Sequence, residues 1–202
     1  SVLEIFRELH KLDFPLATVK PICFYRGNDD ISMEANNSTA FHYRNIANGS
    51  TLSIHSYGLA IDINPIQNPY LKTNNQGKDT HSSTILPIQG SEYTDRTNIR
   101  AGMVEPIVAI FKTWGFPIWG GEPNTELSSN VIDWHHFQTT RAIAEILSCM
   151  SSEHANDFFP IWREHSQTMM KLKSGATTES LKQIYQHDPV SFMAQIDTLF
   201  QL

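Results

Sequence analysis

The stretch Ser53-Ile54-His55-Ser56-Tyr57-Gly58-Leu59-Ala60-Ile61-Asp62-Ile63-Asn64-Pro65 sets an imidazole and a carboxylate in one short run. Leu59, Ile61 and Ile63 alternate, which predicts a strand buried on one face. Ala60 and Asp62 then share the other face. A carboxylate there is costly unless something pairs with it. Gly58 and Ala60 are expected to leave space above that face, which a cation held by Asp62 and His55 would fill. Much later, Asp133-Trp134-His135-His136-Phe137 brings two more imidazoles and another acid between aromatics. One imidazole of that pair, with His55 and Asp62, makes a three-member nitrogen and oxygen set. Such a set suits catalytic zinc, which keeps a fourth position for water.

The spacing His-x-x-Gly-x-Ala-x-Asp followed by Asp-x-x-His-Phe resembles the zinc peptidases of the VanY and D-alanyl-D-alanine carboxypeptidase group. That group also includes L-alanyl-D-glutamate endopeptidases. Met33-Glu34-Ala35-Asn36-Asn37-Ser38-Thr39-Ala40-Phe41-His42-Tyr43-Arg44 is similar to the group's Asn-Thr-Ser-Ala-Phe-x-x-Arg run. Ala60 to Tyr70 looks like its metal-strand continuation, and Trp114-Gly115-Phe116-Pro117-Ile118-Trp119-Gly120-Gly121 like its glycine-aromatic run. At Glu122-Pro123 the chain departs from the usual Gly-Gly-Asp-Trp. The likeness spans residues 1 to 140.

The resemblance implies a fold, a cofactor and roles. The expected fold is α+β: a small antiparallel sheet bearing the zinc site, packed with helices, plus a C-terminal helical extension. The expected domains are a zinc peptidase domain over 1–140 and an extension over 141–202 packed on it. His55, Asp62 and His136 become the zinc ligands, because the ligand precedes phenylalanine. His135 is left as a supporting residue or a substrate contact. Asp133 becomes the general base and later proton donor, desolvated by Trp119, Trp134 and Phe137. Arg44, whose guanidinium stays charged and grips carboxylates in two places, becomes an oxyanion or substrate clamp. Ser53 matches a serine that hydrogen-bonds substrate. The implied partner is a peptidoglycan stem peptide. Asp-x-x-His-Phe points to an L-alanyl-D-glutamate endopeptidase; alternatives are a D-alanyl-D-alanine carboxypeptidase and an inactive zinc-containing binding module.

Composition sets the limits. With 202 residues, 40% hydrophobic and 18% charged, the chain can bury a core. The net charge of -6 and the absence of basic runs argue against nucleic acid. No 18-residue apolar run occurs, so no membrane span is expected. Periplasmic or extracellular action implies an export signal already removed before Ser1. Cys23 and Cys149 show no metal spacing and are expected as free, buried thiols. Neither the oligomeric state nor the wall it acts on is legible.

Other elements follow from periodicity. Val2, Phe6 and Leu9 predict a helix over residues 2–12. Residues 21–25 read as a strand, 26–30 as a loop, and Phe41 with Tyr43 as a strand ending at Arg44. Asn48-Gly49 suggests a hairpin beside the metal strand. Lys72 to Ser83, with His81, and Ser91 to Arg100 read as polar loops. Met103 to Trp114 is a helix with Pro106 in its first turn and Gly115 as its cap. Thr139 or Thr140 starts the next helix. Further helices are expected near 152–172, with Pro160 inside, near 178–187, and from Asp188-Pro189 onward, burying Phe192, Ile196, Leu199 and Phe200. His154, His165 and His187 lack metal spacing.

Overall fold

The computed structural model describes residues 1–46, 49–73, 83–122, 130–169 and 176–199. Asn48, His81, Pro123 and Phe200 lie outside the described residues, as do the side chains of His165 and Leu199. The fold is α+β with small antiparallel sheets and a helical C-terminal part. Helix α1 (Val2–Lys11) buries Ile5 and Leu9. Strand β1 (Thr18–Val19) pairs in parallel with β2 (Asn37–Ser38), and α2 (Asp29–Glu34) lies between them in the chain. Asn28 caps α2 by accepting from Ile31 N.

The central sheet has the order β3 (Ala60–Asp62), β8 (His136–Gln138), β6 (Ile118–Trp119), all antiparallel. Its register is Ala60 opposite Gln138, Ile61 opposite Phe137 and Asp62 opposite His136. Side chains alternate across a strand. Ile61 and Phe137 therefore enter the core while Asp62 and His136 share the opposite face. The core joins Ile5, Leu9, Ile61, Ile63, Val104, Ile107, Phe111, Phe116 and Phe137. Phe111 and Phe137 stack at 3.9 Å between ring centroids. A second sheet, β5 (Ser83–Leu86), β4 (Tyr70–Thr73), β7 (Val131–Asp133), is also antiparallel and pairs Tyr70 with Asp133. Lys72 and Ser83 thus belong to strands rather than to the expected loop.

Helix α3 (Val108–Thr113) follows a 3-10 turn at Glu105–Ile107 that carries Pro106. Among the described residues four helices follow: α4 (Arg141–Leu147), α5 (Ser152–Met169), α6 (Ala176–His187) and α7 (Pro189–Leu199). Thr140, not Thr139, caps α4. Their core is Ile143, Ile146, Phe158, Trp162, Leu181, Tyr185, Phe192 and Ile196. This part touches the rest directly: Ala144 packs with Ile54 and Ala60, and Trp162 Nε1 donates to Gly115 O at 3.2 Å.

The expected loop over 26–30 gives way to α2 from Asp29 onward, and further expectations need correction. Residues 22–25 form a 3-10 turn that ends at Arg26 in a left-handed conformation, and among the described residues no strand pairs with it. The cysteines are free, but Cys23 is exposed and Cys149 half-buried, since the 3-10 turn buries none of its side chains. Phe41 and Tyr43 are exposed on an extended run outside regular strands. That run is held by His42 N donating to His55 O and Ser53 N donating to Arg44 O. Ala60 leaves no open space; it is sealed against Ile54 and Ala144. Gly58 serves the backbone instead, at φ 69, a left-handed turn favouring glycine. An isolated antiparallel bridge joins Asn45 and Leu52 on either side of the expected turn, of which Asn48 lies outside the described residues.

Candidate active site

His55 lies on a 3-10 turn, Ile54–Tyr57, whose cap Ser53 accepts from His55 N through Oγ at 3.3 Å. Gly58 then reverses the chain into β3, so His55 and Asp62 meet from opposite ends of one short segment. His136 arrives by sheet register, directly across from Asp62. The result is a tight triangle. His55 Nε2 lies 3.3 Å from His136 Nδ1 and 3.2 Å from Asp62 Oδ2. His136 Nδ1 lies 2.9 Å from Asp62 Oδ1. Both rings are buried.

The outward nitrogens decide what faces inward. His55 Nδ1 lies 2.6 Å from Ala40 O, and His136 Nε2 lies 2.8 Å from Gln138 Oε1. Each of these nitrogens must donate its proton to an oxygen acceptor. His55 Nε2 and His136 Nδ1 are then left with lone pairs aimed at each other and at a carboxylate. That arrangement is repulsive unless a cation or a proton enters it. Accordingly, although burial works against it, the Asp62 hydrogen bond and charge raise the His136 pKa above its usual value. Asp62 is likewise penalised by burial, yet His55, His135 and His136 hold its carboxyl well below the usual carboxylate range. A tetrahedral ion with bonds of about 2.0–2.1 Å has edges of about 3.3 Å. The spacing and donor types therefore fit a divalent cation. Such rings normally donate their far N–H to a carbonyl or carboxylate, as both do here.

His135 points elsewhere. Its Nδ1 donates to Asn68 O at 2.8 Å, and its Nε2 lies 2.9 Å from Asp133 Oδ1 and 4.0 Å from Asp62 Oδ2. Burial would lower its pKa, but the charges of Asp133 and Asp62 raise it to about 9. Both ring nitrogens are engaged, which leaves none for a further contact. Asp133 Oδ1 is buried, and the His135 imidazole is its close polar neighbour. Tyr70 sits across the sheet from Asp133, and burial together with the Asp133 charge raises its hydroxyl pKa.

The remaining sequence candidates separate. Trp134 is buried and its carbonyl accepts from Trp119 Nε1 at 2.8 Å. Phe137 is part of the core on the far side of β8, so it does not shield Asp133. Arg44 lies with its Nε 2.5 Å from Asp29 Oδ2, while His42 Nδ1 is 2.7 Å from Asp29 Oδ1. Sequence reasoning did not find Gln138, Asn68 or Arg96. Gln138 was within reach, because it is two residues from His136 and so shares its strand face.

Residues 47–139 match the family model described as D-alanyl-D-alanine carboxypeptidase, so that stretch of the chain is similar to this family. The matched stretch holds Ser53, His55, Asp62, Asp133, His135 and His136, and leaves Arg44 and helices α4 to α7 outside it. No curated protein and no solved structure matches the chain.

Proposed function

We propose that the protein is a zinc-dependent peptidase acting on peptidoglycan stem peptides outside the cytoplasmic membrane. The observation that carries this reading is the convergence of His55 Nε2, Asp62 and His136 Nδ1, whose donor atoms lie within 4.8 Å of one another. The family match supports a peptidase. Zn2+ is the cation that two imidazoles and one carboxylate with an open position suit best. Held there, it would supply Lewis acidity toward an amide carbonyl and acidify water.

The chain's own residues do the rest. Asp133 is the general base: its carboxylate lies three residues before His136, with Oδ1 held 2.9 Å from His135 Nε2. It returns that proton to the departing amine. His135 stands behind Asp133 as a charged neighbour and fixes the carboxylate's place, rather than contacting substrate. Arg44, braced by Asp29, presents its remaining guanidinium donors to a substrate carboxylate or oxyanion. Ser53 keeps its place in the substrate-binding set, although its hydroxyl also caps the turn that carries His55.

The bond cleaved is read as L-alanyl-D-glutamate, from Asp133 preceding His136-Phe137. The second reading, a D-alanyl-D-alanine carboxypeptidase, is favoured by the matched family's own description. Incubation of zinc-supplemented protein with muropeptides, followed by mass analysis, decides between them. Cleavage between L-alanine and D-glutamate is the expected result. Release of free D-alanine alone removes the endopeptidase reading, and no cleavage of either bond removes the enzyme.

A further inference from the structure

Arg96 follows a short polar stretch that carries no chemical motif, yet its guanidinium is fully engaged. Nε and Nη2 meet Glu105 at 2.6 Å and 2.7 Å. Nη1 donates to Gln67 O at 2.7 Å and Tyr93 O at 3.2 Å, and Nη2 donates to Asn68 Oδ1 at 2.9 Å. An arginine has five N–H donors, so none is left over. The guanidinium also lies 4.9 Å from the ring centroid of Trp134, the residue between Asp133 and His135.

Asn68 relays this anchorage inward. It is completely buried. Its Oδ1 also accepts from Val104 N at 3.0 Å, and its Nδ2 donates to Ile63 O, Asn64 O and Gly102 O. Its main-chain carbonyl accepts from His135 Nδ1. The carbonyl cannot move without breaking bonds to three segments of chain. His135 in turn meets Asp133. From Arg96 to the Asp133 carboxylate there is thus an unbroken run of hydrogen-bond and ion-pair contacts, and a second, shorter route through Trp134.

We infer that Arg96, clamped by Glu105, is a positioning residue for the Asp133–His135 pair, acting through the Asn68 carbonyl and the Trp134 ring. This rests on the reading of Asp133 as general base. Arg96 touches neither substrate nor ligand residues. Its contribution is to hold the loop after β3 and the segment between β7 and β8 in one register, so that the His135 ring cannot swing and carry Asp133 with it. A misplacement of about 1 Å at reacting groups, caused from a distance, costs up to roughly 10²-fold in rate.

The test compares the unmodified protein with Arg96→Met, which keeps an apolar stem over Trp134, and Arg96→Lys, which keeps charge without the fork. Peptide hydrolysis is measured at saturating and limiting substrate below the unfolding transition. The expected result is a kcat drop of up to roughly 10²-fold for Arg96→Met, with KM held, zinc content unchanged, and partial recovery in Arg96→Lys. A lowered melting midpoint with unchanged kcat overturns the inference, because it shows a structural pair only. A second readout needs no turnover: the His135 Nδ1 proton, followed by NMR in 15N-labelled protein. It should be protected from exchange in the unmodified protein and exchange rapidly in Arg96→Met; equal protection in both overturns the inference even if hydrolysis is never observed. If Arg96→Met does not fold, Glu105→Gln weakens the clamp while leaving Arg96 in place, and the same two outcomes decide.

Discussion

The N-terminal α+β part and the C-terminal helices are built from different materials. In the first, buried amides tie the chain. Asn64 accepts from Ala17 N at 3.0 Å and donates to Pro15 O and Gly102 O, and Asn37 bonds to Lys20 twice. In the second, the core is Ile143, Phe158, Trp162, Phe192 and their neighbours. Its polar insertion is modest: Tyr185 bonds to His154 Nδ1 at 2.8 Å. The contrast has a physical reason. Apolar packing is non-directional and tolerates small shifts. A satisfied buried amide tolerates almost none, because a broken bond leaves a desolvated group costing about 1–3 kcal/mol. Rigid hydrogen bonding is found where side chains must hold sub-ångström places, and plain packing where bulk suffices.

Changes to the two regions should therefore fail in different currencies. The largest effect is expected from Asp133→Asn, nearly isosteric and outside the ligand set. Hydrolysis should fall by roughly 10²–10⁴-fold, the share of a general base, with zinc content little changed and the melting midpoint lowered, because the buried His135 loses its charged partner. An active Asp133→Asn would place the base elsewhere; retained peptide affinity without turnover in the unmodified protein would favour the binding-module alternative. Next comes Trp162→Ala in the helical core. It should cost about 3–5 kcal/mol of stability, read by denaturant unfolding, with kcat unchanged where the protein stays folded. Loss of kcat in folded Trp162→Ala would show that the helices shape the site, most directly through Gly115. The smallest effect concerns acid. Asp188 caps α7, and its bonds to Ser191 side-chain and backbone groups hold its carboxyl below the usual range. A lowered folded pKa gives stability that is present above the unfolded value of about 3.9 and lost as pH falls through the folded one. Asp188→Ala should flatten the acid limb of the stability curve slightly, read by the melting midpoint between pH 5 and pH 2, and leave hydrolysis unaltered.

Much of the site could be read from the sequence, and the parts that could not share a cause. His55 and Asp62 stand out because polar groups on an apolar strand need a reason. The preference for His136 over His135 came from the likeness to a family; the sheet now supplies the mechanical reason, since only one of two adjacent residues can face Asp62 across a ladder. Helix starts at Thr140 and Asp188 were visible as local chemistry. By contrast, Arg96, Asn68 and Ala40 act through contacts spanning long stretches of chain, and their local sequence carries no period or cap. Residues 22–25 misled because a strand exists only with a partner, and among the described residues none pairs with them. Phe137 misled because its neighbours on both sides are polar site residues, while strand alternation turns its own ring into the core.

The central claim is that His55, Asp62 and His136, and not His135, hold one divalent cation. Metal analysis after zinc loading and exhaustive dialysis, on the unmodified protein and on His136→Ala and His135→Ala, tests it most directly. One zinc per chain in the unmodified protein and in His135→Ala, with near-complete loss in His136→Ala, is the predicted result. No retained zinc in the unmodified protein, or loss in His135→Ala with retention in His136→Ala, would contradict it.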